Sequence, residues 1–179
     1  MSARDRVLDA AERRLLQGGP GALVLDAVAA DAGVSKGGLL YHFKSKESLV
    51  EGLCERMLQR FDEDLERRTA ADPEPRGAFT RAYLATTVTA DGQPADSSAQ
   101  LMAGILALLG RDSEHFELVR RHFSRWHARL AEDGIDETSA TLVRLAADGL
   151  WLSALLGLPR FDQKRGARTT SALRSLTEK

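Results

Sequence analysis

Helix-forming segments cut by glycine and proline breaks run through almost the whole of this 179-residue chain, and no stretch shows the alternating, β-branched pattern of a strand. That feature confines the fold to the all-α class. The segments are rich in Ala, Leu, Arg and Glu, which lose little on entering a helix. The spacing predicts about nine helices, over residues 3–17, 25–32, 36–41, 46–69, 76–89, 97–109, 113–133, 137–157 and 167–176. Gly18-Gly19-Pro20-Gly21 ends the first, and Ala71-Asp72-Pro73-Glu74-Pro75 is the clearest linker. Asp91-Gly92-Gln93-Pro94, Gly110-Arg111-Asp112 and Gly134-Ile135-Asp136 separate later helices, with Asp112 placed as a cap, and Leu158-Pro159 stops the helix at 137–157. The fourth helix, at 1.5 Å per residue, is roughly 36 Å long.

Composition narrows the class further. Apolar residues make up 43% and charged residues 28%, so a core can form without metals or disulfides. The one cysteine, Cys54, has no intramolecular partner and fits a reduced, cytoplasmic setting. It stands beside Leu53 and Met57, with Glu51 and Glu55 near, and reads as a packed hydrophobe. The start, Met-Ser-Ala-Arg-Asp-Arg, has no apolar segment of the secretory type, and the longest apolar run, 101–110, is too short to span a bilayer. With a net charge of −1, no whole-protein field draws in a polyanion, so nucleic-acid binding requires a local patch.

Residues 25–47 carry such a patch. Two short helices meet at Ala32-Gly33-Val34-Ser35, the form of a helix-turn-helix. Gly33 suits a left-handed stop, and Ser35 and Ser45 are placed to cap the third and fourth helices. Val28, Ala32, Val34, Leu39 and Phe43 are expected to form a core with the stripe Val7, Ala11 and Leu15. The third helix then offers Ser35, Lys36, Gly37 and Gly38 at its start and Tyr41 and His42 one turn on. The two glycines weaken the helix by about 1 kcal/mol each and allow close approach of its backbone to a sugar-phosphate chain. Lys36, Lys44 and Lys46 supply three positive charges with no acid between Ser35 and Lys46. Lys46 falls in the first turn of the fourth helix, where the dipole also favours an anion. This is a phosphate-binding face on a near-neutral protein.

The run Ala29-Ala30-Asp31-Ala32-Gly33-Val34-Ser35-Lys36-Gly37-Gly38-Leu39-Leu40-Tyr41-His42-Phe43-Lys44-Ser45-Lys46-Glu47-Ser48-Leu49 resembles the DNA-binding signature of the TetR family of transcriptional regulators, and the match covers about residues 23–53. The resemblance implies a three-helix DNA-binding head at 1–46 and a helical regulatory and dimerisation body at 47–179. It implies a homodimer joined through the helix at 137–157 and the C-terminal helix, a double-stranded DNA operator of palindromic form, and repression relieved by a small effector. It carries DNA contacts onto Ser35, Lys36, Gly37, Gly38, Tyr41, His42 and Lys46. Two positions depart from the family pattern. Val24 stands where a capping Thr is common, and Gly38 where a Thr side chain often reads the DNA.

Competing readings are weaker on chemical grounds. Gly33-Val34-Ser35-Lys36-Gly37 matches the hydrolase nucleophile elbow, but that motif needs a preceding strand and residues 26–32 read as helix. His115, His122 and His127 lack the i, i+4 spacing of a helical metal pair, and no metal or cofactor is expected. No convergent set of acid, base and nucleophile points to an enzyme. In the helix at 137–157, Leu142, Leu145, Leu152 and Leu156 form one face and Val143, Leu150, Ala154 and Leu158 lean to another, which suits burial on two sides. The same greasy helix would serve the alternative function, a helical protein-interaction adaptor. Residues 160–179 carry six basic and two acidic side chains and read as surface or dimer rim. An apolar or amphipathic effector would be lined by Tyr83, Thr87, Leu101, Met102 and Ile105, together with Phe116, Phe123, Trp126 and Trp151.

Overall fold

Caps set the ends of the helices. The computed structural model describes residues 1–95, 97–109, 114–159 and 161–178, apart from the side chains of residues 114 and 115. In chain order the described helices are α1 (Ala3–Gly18), α2 (Leu25–Ala32), α3 (Lys36–His42), α4 (Lys46–Ala71), α5 (Ala78–Thr87), α6 (Ser98–Leu106), α7 (Glu114–Ala131), α8 (Glu137–Leu155) and α9 (Gln163–Leu176). Pro20–Ala22 adds a single 3-10 turn where the sequence shows only a break. The described residues contain no strand, and an isolated bridge pairs Val88 with Pro94. The all-α expectation holds.

The chain divides into two compact units, Met1–Leu58 with Gln100–Leu118, and Gln59–Ala99 with Val119–Lys179. In the first, Ser2 and Asp5 start α1 with a reciprocal capping box, and the hydrogen bonds from Ser2 hold the Asp5 carboxyl below its ordinary range. Val7, Leu8, Ala11 and Leu15 turn inward against Leu23, Val28, Ala32, Leu39 and Phe43, all buried. Val34, expected with them, is only half-buried. Gly52 lets α4 lie against Phe43, since a Cβ there would stand 2.7 Å from the ring. Arg56 reaches from α4 to Asp9 and Glu12 of α1 at 2.6 and 2.5 Å. Residues of α6 complete this core through Leu101, Met102 and Ile105. Cys54 is buried within it, and burial, then the charge of Glu55, pushes its thiol up to about 11.

In the second unit several helix bounds differ from the sequence expectation, at α5 through a partner distant in sequence and at α9 through a local cap. The helix expected at 76–89 is α5, which starts only after the left-handed Gly77. The Asp133 carboxylate takes the N–H groups of Phe79 and Thr80 at 3.2 and 2.7 Å and the Thr80 hydroxyl at 2.7 Å. At the far end Val88 is extended, and the loop closes through Thr89 N–H on Gln93 O at 2.8 Å. The expected last helix gains a full first turn, because Asp162 accepts from Arg165 N–H at 2.8 Å. Gly166 sits in that turn against the 91–92 backbone, and a Cβ on it would lie 2.0 Å from Asp91 O. The break at 110–112, its cap Asp112 and residue 113 lie outside the described residues. No helix among the described residues is long and apolar enough to cross a membrane.

Candidate nucleic-acid interface

The junction of α2 and α3 is built from its own residues. Gly33 ends α2 at φ 63° and ψ 40°, and Val34 N–H reaches back to Ala29 O at 3.0 Å, a Schellman closure. Arg6 of α1 donates to Ala32 O at 3.2 Å and helps satisfy the carbonyls at that end. Ser35 then caps α3, its Oγ accepting from Gly38 N–H at 3.0 Å. A serine committed to a cap after a helical segment is no nucleophile elbow. Nothing caps α2 with a side chain, since Val24 has no oxygen to offer.

Leu39 anchors the buried side of the seven-residue α3. On its other side Lys36, Gly37, Tyr41 and His42 are exposed, Tyr41 to 83%. Tyr41 and His42 meet edge to face with ring centroids 5.1 Å apart. A Cβ on Gly37 would meet nothing closer than Ser35 Oγ at 4.0 Å, so packing does not demand that glycine. Its effect is to leave the backbone of the outward face bare, as close approach of a sugar-phosphate chain requires. Phe43 closes the helix from below, with the Arg4 guanidinium 5.3 Å from its ring centre.

Two carboxylates outside the stretch from Ser35 to Lys46 join this face, Asp26 through the fold and Glu47 as the next residue in sequence. Asp26, in the first turn of α2, pairs with Lys36 at 2.9 Å. Glu47, in the first turn of α4, accepts from its own backbone N–H and from Ser45, which hold its carboxyl below the ordinary range. Ser45 and Ser48 cap each other at the same terminus, at 3.0 and 3.2 Å. Three lysines therefore stand with two acids, and the patch is more weakly positive than a count from Ser35 to Lys46 suggests. The signal for Asp26 was its place ten residues before Lys36, one short helix and one tight turn away.

The residues expected to line an effector cavity fall in both units: Leu101, Met102, Ile105 and Phe116 in the first, Tyr83, Thr87, Phe123, Trp126 and Trp151 in the second. In the second unit the rings form one cluster, with Trp126 centred 4.6 Å from Phe61 and 5.0 Å from Phe123, and Phe123 6.0 Å from Trp151. Two acids absent from the expected set organise it. Asp62 accepts from Trp126 Nε1 at 2.6 Å and faces Arg125 at 2.6 Å and His122 at 3.2 Å. Asp148 accepts from Tyr83 OH at 2.5 Å, and His127 Nε2 lies 3.3 Å from its other oxygen without hydrogen-bond alignment. Burial, reinforced by the Asp148 charge, raises the Tyr83 phenol far above its ordinary value, and burial lowers both His122 and His127. The two histidines thus go to separate carboxylates, and the His115 side chain lies outside the described residues.

On α8 the inner positions are Ser139, Ala140, Val143 and Ala147. The outer face is a row of leucines, Leu142, Leu145, Leu152 and Leu156, exposed to 49, 54, 50 and 60%. With Gly149 between them they repeat as the a and d positions of a heptad.

Comparison with known proteins agrees with this layout. Residues 7–53 match the family described as bacterial regulatory proteins, tetR family, and residues 77–178 match the tetracyclin repressor-like C-terminal domain. The chain is 28% identical over 180 residues to the HTH-type transcriptional regulator BetI of Paraburkholderia xenovorans (strain LB400), covering 94% of this chain and 89% of that one. A transcriptional regulator from Rhodococcus sp. Rha1 has the same fold, with a TM-score of 0.73 at 21% identity over 99% of this chain and 95% of its own. The multidrug binding protein EbrR, complexed with ethidium, is similar at 26% identity and a TM-score of 0.60, covering 96% of this chain and 98% of that one.

Proposed function

The chain belongs to the tetR family of bacterial regulatory proteins, and on that premise we propose that this DNA-binding, ligand-responsive regulator is a homodimeric repressor acting in the cytoplasm, with no catalytic role of its own. Residues 1–46 form the DNA-binding domain and 47–179 the regulatory and dimerisation domain. Each protomer places α3 in a major groove, and the two half-sites of a palindromic operator lie roughly 34–36 Å apart, or a multiple of that. Ser35, Lys36, Gly37, Gly38, Tyr41, His42 and Lys46 make the contacts, chiefly to phosphate. The observation that carries this reading is the bare outward face of α3, where a large polar aromatic, Tyr41, stands free in solvent beside His42 and Lys36.

The protomers join through α8 and α9. A leucine row at heptad spacing, half-exposed in the single chain, supports that pairing, since soluble proteins cover apolar stripes of this kind. A small apolar or amphipathic effector acts on the body, at the aromatic cluster of the second unit among Tyr83, Thr87, Phe123, Trp126 and Trp151, while Leu101, Met102 and Ile105 serve the core of the first unit. The likeness to a multidrug binding protein supports an effector of that size and character. Because α4 supplies residues to both units, effector binding biases the head through that helix and releases the operator.

Selection of random duplex DNA with the purified protein at two salt concentrations tests the reading. The expected result is enrichment of one palindrome, bound by a dimer and weakened by salt. Lys46→Ala should then weaken binding to every sequence alike and reduce the salt slope by about one. Sequence-blind binding by a monomer would overturn the operator assignment in favour of a protein-interaction adaptor.

A further inference from the structure

Away from these surfaces, the last turns of α4, one side of α5 and one face of α9 enclose a groove of about 790 Å3 within the second unit. That volume suits a small organic ligand. Its floor is apolar and low-sided, made by Ala71, Ala82, Leu84, Ala85 and Val88. Its rim carries Arg67, Arg68, Arg81 and Arg174.

The charges of that rim are not balanced. Arg81 is held by Asp72 through two hydrogen bonds, at 2.7 and 2.9 Å. Arg67 and Arg68 share the single carboxylate of Asp64. Arg174, exposed on α9, makes no ion pair among the described residues, though its charge, after that of Arg81, helps hold the Asp72 carboxyl low. Four guanidinium groups thus share only two ion-paired carboxylates among the described residues, Asp64 and Asp72, although the charges of Asp133 and Glu74 also act on Arg81. One hydroxyl in the wall is also unspent. Thr170 Oγ1 is buried with no hydrogen-bond partner among the described residues. Thr69, Thr87, Ser153 and Ser175, on helices of the same unit, each donate to the carbonyl four residues back, at 2.7–3.2 Å. Thr170 does not, and a buried hydroxyl left unpaired is costly unless a ligand or water completes it.

We propose that this groove is a binding site for an amphipathic carboxylate, with the carboxylate on Arg174 and, once rotation about χ1 turns it from its buried position into the groove, on Thr170 Oγ1, and an unbranched apolar tail along the alanine floor. A guanidinium and a hydroxyl suit a planar carboxylate, and the low side chains leave room for a chain of methylenes. The site is distinct from the aromatic cluster, whose rings do not line it. It is also distinct from the other side of α9, where Arg168, Ala172 and Leu176 line a separate depression, so occupancy and pairing through that helix are compatible.

Isothermal titration of the full-length protein with octanoate tests the assignment, with octanol as the uncharged probe. Octanoate should bind and octanol should bind at least about tenfold more weakly, a difference of roughly 1.4 kcal/mol. Arg174→Glu should weaken octanoate by about tenfold or more, and Ala85→Trp, which fills the floor from an exposed position, should abolish binding, both with unchanged thermal midpoints. Three results would each overturn the proposal: no octanoate binding up to about 10 mM, equal affinity for octanol, or undiminished affinity in both variants.

Discussion

The head and the body satisfy their polar groups over different distances along the chain. In the first unit α1, α3 and α4 start on caps three residues long, Ser2 with Asp5, Ser35 with Gly38 and Ser45 with Ser48, while Arg56 ties α4 to Asp9 and Glu12 across 47 and 44 residues. In the second, α8 and α9 also start on local caps, but α5 starts on Asp133, 53 residues away, and the aromatic cluster is oriented across 64 and 65 residues, Asp62 to Trp126 and Asp148 to Tyr83. The head therefore carries its turn and its recognition helix as nearly local properties. The body acquires its shape only when remote segments meet. That difference suits the proposed division into a reading surface that is held rigid and a regulatory domain that responds to a ligand.

The largest expected effect lies at the proposed pairing of the body with a second copy. Replacing Leu145 and Leu152 together by Glu should weaken dimerisation by roughly a hundredfold or more, read by sedimentation of the protein at graded concentration in an ultracentrifuge. A dimer of unchanged affinity would remove α8 from the interface. Next, Gly166→Ala should lower stability by about 3 kcal/mol, because its Cβ would meet the 91–92 backbone, which has little room to yield. Ser35→Ala, which deletes a local cap, should cost only about 1 kcal/mol in the same denaturation experiment. If the head variant proves the more damaging of the two, the contrast between units fails. The smallest effect sharpens the picture of the DNA face. Asp26→Asn frees Lys36 and should tighten operator binding about two- to fivefold and steepen its salt dependence by up to one counterion, measured by titration at several salt concentrations. No change would mean that Lys36 does not reach phosphate.

Much of the head was legible in the sequence. Gly33, Ser35 and Ser45 act as the turn chemistry of their residue types predicts, and Leu39 and Phe43 are buried while Tyr41 and His42 are exposed. What escaped the local window was charge. Lys36 looks free between Ser35 and Lys46, yet Asp26 pairs with it across the helix-turn-helix. In the body the reading from periodicity fixed the number of helices but misplaced their ends. The start of α5 depends on a carboxylate 53 residues away, and the first turn of α9 contains a glycine that propensity counts against. Likewise the aromatic residues of the body were recognised as a class, whereas Asp62 and Asp148, which orient Trp126 and Tyr83, had no mark in the sequence that set them apart from surface acids.

By itself the sequence determined the helical class, the breaks between helices, the helix-turn-helix and the greasy character of α8, because each follows from backbone propensity, capping and periodicity within a few residues. Tertiary structure alone decided which leucines of α8 remain exposed, that Asp26 pairs with Lys36 on the proposed DNA face, and how Arg174 and Thr170 come to share a groove with the end of α4. Those outcomes depend on contacts between residues far apart in the chain. Burial and charge pairing are properties of the packed neighbourhood, and no local pattern encodes the neighbour.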